Sequence, residues 1–527
     1  MQTCCYFLLI IAFWARSVRA RLIQVQVVTR HGARTPLSKS AQELTEGGAQ
    51  LTQQGLREML LLGRWLRLRY VAPAVDAGGL QGLSSNATYD AALVRFVSSD
   101  YDRTIDSATM LGRGLFGEMD GRAAHFGPRP IPVHALPRAD DVVIRSYDKC
   151  PALTAANRQL FASAAWRQKE AEHRPLLQAI ATNVAPLYPK VFSEHTAWAD
   201  STDGVPLKDL WNVFDAVNVA RAHAGSNKTD EKGVNARLAS ALTATQWQEL
   251  QAAAHWAEWF KYGRNATLAA QVGVPPADSY IGTNMLRLLA ANMREVTGVT
   301  PHRLVLYSAH YPLLLGLFGA LRLGDNAALR SGSFPSYASA LLLELHEVKV
   351  AENSVSGAQH RHVVRLLWRE GSDAGMTVAG QLTPLVLPGC QQDTMPLGND
   401  AEPGAMGCNL ERFSDLISSG TSWCTTCNNT SARTCRASAG AGGDFANAGS
   451  GISAGAGTAL FIVGALLGAF LATWYLRTRA FKETYGAPVI PVTATADNMG
   501  NGGGEPSFAA SSVVALPGGR AGAMTTV

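Results

Sequence analysis

The chain has 527 residues, long enough for one large domain with an inserted lobe or for two domains. Apolar residues make up 47% of it and charged residues 17%, a composition typical of a globular protein with some membrane-embedded sequence. The net charge of +5 is small for this length, and no basic run or alternation of basic with aromatic residues occurs. These features exclude nucleic acid as the predicted partner.

Residues 1–20 have the features of a secretory signal peptide. An apolar core extends from Cys4 to Trp14. It is followed by Val18-Arg19-Ala20, which has small residues at the positions that a signal peptidase recognises before its cleavage site. The segment lacks the usual basic residue at its start, and a buried N-terminal helix is the alternative interpretation. Because a second membrane signal follows downstream, the secretory interpretation is favoured.

Residues 21–435 are predicted to form the ectodomain. Short apolar, β-branched runs predict strands at 22–28, 93–97, 304–308, 340–350 and 363–369. Helices are predicted from Thr52 onward, where apolar residues repeat at helical spacing, and over 105–116. The stretch from about 155 to 295 has a mainly helical pattern. This order predicts an α/β fold, with a central, mostly parallel sheet flanked by helices and a smaller helical insert at 155–295.

The C-terminal part of the chain predicts a membrane anchor. A flexible stalk at 436–450 precedes an uncharged stretch at 451–476, whose 26 residues would form a helix of about 39 Å, enough to cross a ~30 Å hydrocarbon core. Basic residues follow at once and place the tail, 477–527, in the cytosol, where its composition predicts disorder. The predicted topology is therefore type I. Gly464, Gly468 and Ala472 form a small-residue face on which two spans could pack as a homodimer.

Six cysteines remain after the predicted signal peptide, and an even number in a secreted chain indicates a disulfide framework. Cys424-x-x-Cys427 would suit a redox or zinc pair instead, but the predicted oxidising compartment disfavours that. Five sequons predict N-glycosylation and are consistent with exposure to the same compartment: Asn86, Asn227, Asn265, Asn428 and Asn429.

The chemistry is predicted to lie in the segment TRHGARTP, residues 29–36, directly after the first predicted strand. Ligands of open α/β sheets bind beyond the carboxyl ends of strands. Gly32 allows a tight turn, so that the guanidinium groups of Arg30 and Arg34 can converge on one anion, and arginine forks match phosphate oxygens. His31 lies between them, and the adjacent positive charge favours its neutral, nucleophilic form. A basic surface loop is the alternative interpretation.

These residues resemble the RHGxRxP signature of the histidine acid phosphatases. Four further segments are similar to this family in the same order: SSDYDRTIDSA at 98–108, RPIPVHALP at 129–137, LYSAH at 306–310, and PLVLPGC with LERF near the C-terminus. The layout is similar to that of acid phosphatases of the lysosomal and the trypanosomatid membrane-bound type. The resemblance covers about residues 21–435.

The resemblance implies a role for each matching residue. His31 would be the nucleophile that forms a phosphohistidine, Arg30 and Arg34 would clamp the phosphate, and His310 would donate a hydrogen bond to the phosphoryl oxygens. No cofactor or metal is implied, because arginines supply the positive charge. His360-x-His362 has no third ligand nearby and is interpreted as an exposed pair.

The chain departs from the family pattern at two positions. Tyr311 stands where the family has the aspartate that protonates the leaving oxygen. Val97 stands where a third clamping arginine is expected, and Arg95, on the same strand face, is predicted to substitute in part. Arg103 is assigned to a different family arginine. Without the acid, a loss of roughly 10²–10⁴ in rate is expected, least for aryl phosphates, whose leaving groups need little protonation.

The resemblance also implies three disulfides: Cys390–Cys408, Cys150–Cys427 and Cys424–Cys435. The function predicted from the whole sequence is that of a membrane-bound acid phosphatase acting on phosphate monoesters, located in an endosomal, lysosomal or cell-surface membrane. The first alternative is a catalytically impaired relative that binds phosphate ligands or acts in trafficking. The second is an inositol-polyphosphate phosphatase, which would need a basic specificity pocket, and the helical insert is not notably basic.

Overall fold

The computed structural model of the chain describes residues 20–35, 49–75, 78–83, 89–117, 130–187, 192, 195–223, 234–296, 302–323, 334–350, 359–371, 382–390, 394–397, 406–418 and 422–440. The predicted signal peptide, except its last residue, lies outside these residues, and so do the predicted stalk from 441, the predicted span and the predicted tail. In the part of the chain that is described, no helix has both the length and the apolar character needed to cross a membrane.

One mixed sheet organises the described part of the ectodomain. Its strands are β1 (Ala20–Arg30), β2 (Val94–Ser99), β3 (Val133–Leu136), β4 (Leu304–Ala309), β5 (Ala340–Val350), β6 (Gln359–Arg369), β7 (Leu382–Leu385), β8 (Thr394–Pro396) and β9 (Met406–Asn409). Each predicted strand lies within, or overlaps, one of these. The strand order is β3-β2-β4-β1-β5-β6-β9-β8, and β7 also pairs with β6.

The prediction of a mostly parallel sheet was wrong. Strands β3, β2, β4 and β1 form a parallel half, but β1 pairs antiparallel with β5, and every later pairing is also antiparallel. Apolar runs report burial on both faces and carry no information about strand direction. The sheet is therefore half parallel and half antiparallel, and the central β1 borders both halves.

Helices cover both faces of the sheet. Those before the insert are α1 (Gln53–Leu66) and α2 (Asp102–Phe116), and those after it are α11 (Asp278–Val296), α12 (Tyr311–Ala320), α13 (Leu410–Ser418), α14 (Trp423–Cys427) and α15 (Arg433–Gly440). Residues of α1 and α2 share one buried cluster with one face of the sheet, while α11 and α12 share another cluster with the opposite face. This arrangement leaves the carboxyl ends of the parallel strands free to form a site.

The predicted helical insert is present and has its own apolar core. Its helices are α3 (Pro151–Phe161), α4 (Ala164–Glu172), α5 (Arg174–Asn183), α6 (His195–Ala199), α7 (Leu210–His223), α8 (Val234–Ser240), α9 (Ala244–Glu258) and α10 (Ala266–Val272). A separate buried cluster contains residues from Leu160 to Phe260. Helix α9 continues into a π-helical turn, Trp259–Gly263, a feature often found at functional sites.

The structure contains three disulfides, Cys150–Cys427, Cys390–Cys408 and Cys424–Cys435, which are the pairs that the resemblance implied. The first joins the start of the insert to α14 across 277 residues of sequence. No CxxC metal pair remains, because Cys424 and Cys427 are bonded to different partners.

Two of the predicted glycosylation positions are buried in the structure. Asn265 is 6% exposed and caps α10 by accepting a hydrogen bond from the Leu268 N–H. Asn429 is equally buried, and its amide nitrogen donates to the Lys149 carbonyl at 2.6 Å. Burial of both side chains therefore disfavours a glycan at these two positions in the folded protein. Asn428 is exposed and remains a candidate, while Asn86 and Asn227 lie outside the described residues.

Candidate active site

The carboxyl ends of three neighbouring parallel strands bring the site residues together. His31 directly follows β1, His310 directly follows β4, and Ser99 is the last residue of β2. The rings of His31 and His310 lie edge to face, with their centroids 5.4 Å apart. The sequence-predicted pair of histidines therefore shares one pocket, at the sheet edge where ligands of such folds bind.

Gly32 positions the loop after β1, for a reason different from the predicted one. It lies against α1, and a Cβ atom at this position would approach the Gly55 carbonyl oxygen to 2.4 Å. The loop is held from the same helix by Glu58, which accepts a hydrogen bond from the Ala33 N–H at 2.8 Å. Close backbone packing therefore requires glycine here.

His31 has the protonation pattern of a nucleophile. The ring is 2% exposed, and its Nδ1 lies 2.8 Å from the Gly32 carbonyl oxygen, which can only accept. Nδ1 must therefore carry the proton in the neutral ring, which leaves the lone pair on Nε2. Burial lowers the pKa of His31 well below its ordinary value, and the charges of Arg103, Arg30 and Arg34 lower it further. The neutral form of the imidazole is thus favoured.

Three guanidinium groups surround this imidazole, those of Arg30, Arg34 and Arg103. Each is at least nine-tenths buried, and the Nε–H of each has no acceptor among the described residues. An unpaired buried donor costs free energy, so three of them near one nucleophile indicate a site built for an anion. Arg30 also stacks on Tyr337, with its Cζ 3.9 Å from the ring centroid.

The structure does not place Arg95 with these groups. Arg95 pairs in register with Val305, four residues before the end of β2, which is about 13 Å along a strand. Its charge acts on His302 and Tyr307. Arg103 lies beside His31 instead, because β2 ends at Ser99 and α2 begins soon after it, so that the first turn of the helix faces the pocket. Burial, followed by repulsion from Arg34, lowers the pKa of Arg103 to about 10.

Arg34 is held from the insert by Asp215 of α7. The two side chains form a bidentate ion pair, with N–O distances of 2.8 and 2.9 Å, and both are buried. Burial alone would lower the pKa of Arg34, but Asp215 raises it above its ordinary value. Both terminal nitrogens of Arg34 are engaged in this way, which turns the Nε–H towards other acceptors.

His310 is oriented by β2. Its Nε2 lies 2.8 Å from the Ser99 hydroxyl, which in turn lies 2.9 Å from the Thr104 hydroxyl. Burial, and then the charge of Arg103, lowers the pKa of His310 well below its ordinary value. The neutral form of the second histidine is therefore also favoured.

Tyr311 does not replace the missing aspartate in kind. Its hydroxyl donates to the Glu258 carboxylate at 2.6 Å, and the other oxygen of Glu258 lies 2.5 Å from the Lys261 ammonium. Burial, and then the charge of Glu258, raises the pKa of Tyr311 well above its ordinary value. The phenol is thus a poorer acid than free tyrosine.

Aromatic side chains line the pocket beside Tyr311. Its ring lies 4.6 Å from Trp211, 4.5 Å from Phe334 and 6.1 Å from Tyr262, measured between centroids. These contacts lie within the range of favourable aromatic pairs. The wall so formed is suited to an aromatic leaving group.

Three residues that the structure brings to the site were not predicted as parts of it: Arg103, Asp215 and Glu258. For Arg103, the abrupt change from strand to helix at SSDYDRT is a signal that could have found it. Asp215 and Glu258 come from the insert, where nothing in the local pattern distinguishes them from other helical acids. In the described part of the chain, no group of three or more His, Cys, Asp or Glu side chains could hold a metal ion.

Comparison with known proteins identifies relatives. The family model of the histidine phosphatase superfamily (branch 2) matches residues 43–369. The chain is 29% identical over 391 residues to testicular acid phosphatase of Homo sapiens, covering 72% of this chain and 77% of that protein. It is 28% identical over 385 residues to lysosomal acid phosphatase of Homo sapiens, covering 71% and 75%. A phytase from Citrobacter braakii aligns with a TM-score of 0.49 at 15% identity, over 76% of this chain and 97% of that one.

Proposed function

The chain belongs to the histidine phosphatase superfamily (branch 2) and is a phosphatase, and we propose that it hydrolyses phosphate monoesters through a phosphohistidine on His31. The observation that supports this mechanism is that three buried arginines, each with an Nε–H that lacks an acceptor among the described residues, lie close enough to His31 for their charges to lower its pKa. A phosphoryl group placed among Arg30, Arg34 and Arg103 would satisfy these donors and lie next to the Nε2 lone pair.

The proposed reaction has two steps. Nε2 of His31 attacks phosphorus, the P–N bond forms, and the P–O bond to the leaving group breaks. The leaving oxygen departs with the bonding electrons and takes a proton from solvent. Water then attacks the phosphohistidine, which releases phosphate and restores the imidazole. The arginines stabilise the charge on the phosphoryl oxygens, which is the main requirement of this transition state.

The substrates are proposed to be restricted to phosphate esters of good leaving groups, such as phenols. No carboxylic acid that is free to protonate the leaving oxygen contacts the histidines within the described residues. Asp215 is tied to Arg34, and Glu258 is tied to Tyr311 and Lys261. Aryl phosphates need little protonation, and the aromatic wall beside Tyr311 suits them.

Substitution of His31 tests this proposal. His31→Asn should abolish hydrolysis of 4-nitrophenyl phosphate at pH 5 and remove the acid-labile, base-stable phosphoenzyme that rapid quenching of the wild type should reveal. His302→Asn, which changes a histidine near Arg95 instead, is the matched control and should retain both. Undiminished turnover in the His31 variant would refute the mechanism. If wild type binds phosphate but shows no turnover, the phosphate-binding alternative is favoured. The reason for that alternative is that Tyr311 stands where the family has an aspartate.

The location proposed for the enzyme is the lumen or exterior, anchored by the predicted span at 451–476 in an endosomal, lysosomal or cell-surface membrane. Three disulfides support an oxidising compartment. Protease protection in cells whose plasma membrane is selectively permeabilised, with an epitope tag after the last residue and antibodies against the ectodomain, tests the topology. For an endosomal or lysosomal location, a protected ectodomain with a digested C-terminal tag is the expected result, whereas a cell-surface ectodomain should be digested in intact cells.

A further inference from the structure

A second group of arginines adjoins the phosphate site. It shares Arg103 with the mechanism above, whereas its other two members have no part in that mechanism. The guanidinium carbons of Arg103, Arg138 and Arg145 lie 4.5, 4.1 and 4.2 Å from the centroid of the Tyr101 ring. We call these three side chains, around Tyr101, the Tyr101 cluster. Each contact has the geometry of a cation–π interaction.

The Tyr101 cluster adjoins the reacting centre. The Tyr101 ring lies 5.7 Å from the His310 ring, and the Tyr147 ring lies 6.2 Å from it. The Arg145 guanidinium carbon is 5.5 Å from the Tyr147 ring centroid. Since Arg103 faces His31 as well as Tyr101, it links the phosphate site to the cluster. A group attached to the leaving oxygen could therefore reach from one to the other.

The positive charge of the Tyr101 cluster is incompletely neutralised. Asp148 pairs with a terminal nitrogen of Arg145 and is the only carboxylate that contacts any of the three within the described residues. Arg138 donates to a backbone carbonyl, that of Asp100, and not to a carboxylate. Three like charges at one ring repel one another unless an anion lies among them.

Arg145 is the member that points to a ligand. Its side chain is 90% buried, yet its Nε–H finds no acceptor in the described part of the chain. Its backbone is fixed by an Asx turn, in which Asp141 accepts from the Ile144 N–H at 2.8 Å. A buried guanidinium that is held in place with an unused donor is the arrangement expected of a binding residue.

We propose that the Tyr101 cluster is a subsite for a second anionic group, a carboxylate or a phosphate, carried by the leaving group of the substrate. The proposal rests on the proposed function, because it assigns the specificity of the same pocket. It places the basic specificity region at 138–145, before the helical insert, and not within the insert.

Matched aryl phosphates test the subsite. The substrates are 3- and 4-carboxyphenyl phosphate, and their uncharged counterparts are 3- and 4-carbamoylphenyl phosphate, which have the same shape. Because a hydrogen bond to a charged group contributes roughly 1.5–3 kcal/mol, wild type should prefer at least one carboxylate over its amide by about tenfold or more in kcat/KM. The preference should decrease as salt is added.

Arg145→Gln should reduce this preference to about twofold or less, and Arg145→Lys, which keeps the charge but loses the planar fork, should retain part of it. Arg95→Gln is the matched control, since it removes the same charge from a position outside the pocket, and it should keep the wild-type preference. Equal losses for carboxylate and amide in the Arg145 variants, or no preference in wild type, would overturn the proposal.

The two proposals fail in different ways. If wild type hydrolyses the amides but shows no preference, the subsite is refuted and the phosphatase mechanism stands. If wild type hydrolyses neither ester, the proposed function fails, and calorimetry with 4-carboxybenzyl- and 4-carbamoylbenzylphosphonate then decides on the subsite. Tighter binding of the carboxylate by wild type but not by Arg145→Gln supports the subsite, and equal binding refutes it.

Discussion

Replacement of Tyr311 by aspartate should restore hydrolysis of alkyl phosphates. Tyr311 directly follows His310 at the start of α12, and its hydroxyl is committed to Glu258. An aspartate there would provide an acid of ordinary strength next to the leaving group. General acid catalysis contributes roughly 10²–10⁴ in rate, so the ratio of glycerol 2-phosphate to 4-nitrophenyl phosphate turnover at pH 5 should rise by about that factor.

The same substitution should destabilise the fold by an amount that the contacts of Tyr311 define. The hydrogen bond to a charged carboxylate contributes about 1.5–3 kcal/mol, and the rings of Trp211 and Phe334 add about 0.5–1.5 kcal/mol each. The expected loss is about 2.5–6 kcal/mol in the free energy of unfolding. A stable domain can tolerate such a loss, although it is large against a typical free energy of unfolding of about 5–15 kcal/mol. Urea unfolding measures it, and the activity assay is run at low temperature.

Tyr311→Phe is the control. It removes only the hydroxyl, so it should cost about 1.5–3 kcal/mol in stability and leave the alkyl-to-aryl ratio unchanged. If the phenylalanine variant selectively loses alkyl phosphate hydrolysis, Tyr311 is itself the acid. If the aspartate variant folds and its ratio stays at the wild-type value, or if wild type hydrolyses both esters equally fast, the reasoning about the missing acid is wrong.

Two further predictions concern the arginines and the histidines. Arg103→Ala should lower kcat for aryl phosphates by about 10²–10³-fold, the usual effect of removing one hydrogen-bond donor to the transition state. Arg95→Gln should change kcat by less than about threefold. Equal effects of the two substitutions would contradict the assignment of Arg103 as the third phosphate-binding arginine. Folding lowers the pKa of His31 and that of His310. At a pH between the unfolded pKa, which is near 6.5, and the lower folded pKa, the unfolded chain therefore binds more protons than the folded chain. The free energy of unfolding that the neutral histidines contribute is fully present above about pH 6.5 and should be lost on acidification, by up to about 2 kcal/mol per histidine at pH 5. In urea titrations, a His31→Asn/His310→Asn variant should lose less free energy of unfolding on acidification than wild type. An equal loss would show that other groups dominate.

The sequence predicted the elements that depend on local pattern. Strand β5 has the predicted bounds, Ala340–Val350, because its apolar residues are buried on both faces of the sheet. The direction of β5 relative to β1 was missed, since direction is set by the connections and not by the residues of the strand. The third arginine was placed on β2 at position 95, although the pocket lies beyond the strand end, where Arg103 is found.

The contributions of the insert could not be read locally, because they depend on tertiary contacts across long stretches of sequence. Asp215 lies 181 residues from Arg34 and pairs with it from a different core. Glu258 lies 53 residues before Tyr311. The burial of Asn265 and Asn429 was likewise invisible in their sequons, since each amide is used by the fold. Local pattern therefore predicted a site at a histidine flanked by two arginines, and packing determined the environment of these residues.

The pairing of charges in the pocket explains why it suits a phosphate monoester. Asp215 neutralises Arg34, and Lys261 neutralises Glu258, so both carboxylates that the insert brings to the pocket are compensated. Arg30 and Arg103 have no carboxylate within ion-pair distance among the described residues, which leaves about two positive charges beside a neutral His31. A phosphate monoester carries close to two negative charges at neutral pH. Neutralisation of these charges on binding would compensate for the burial of Arg30 and Arg103. The same positive charge lowers the pKa of His31 and so favours the neutral imidazole that the proposed attack requires.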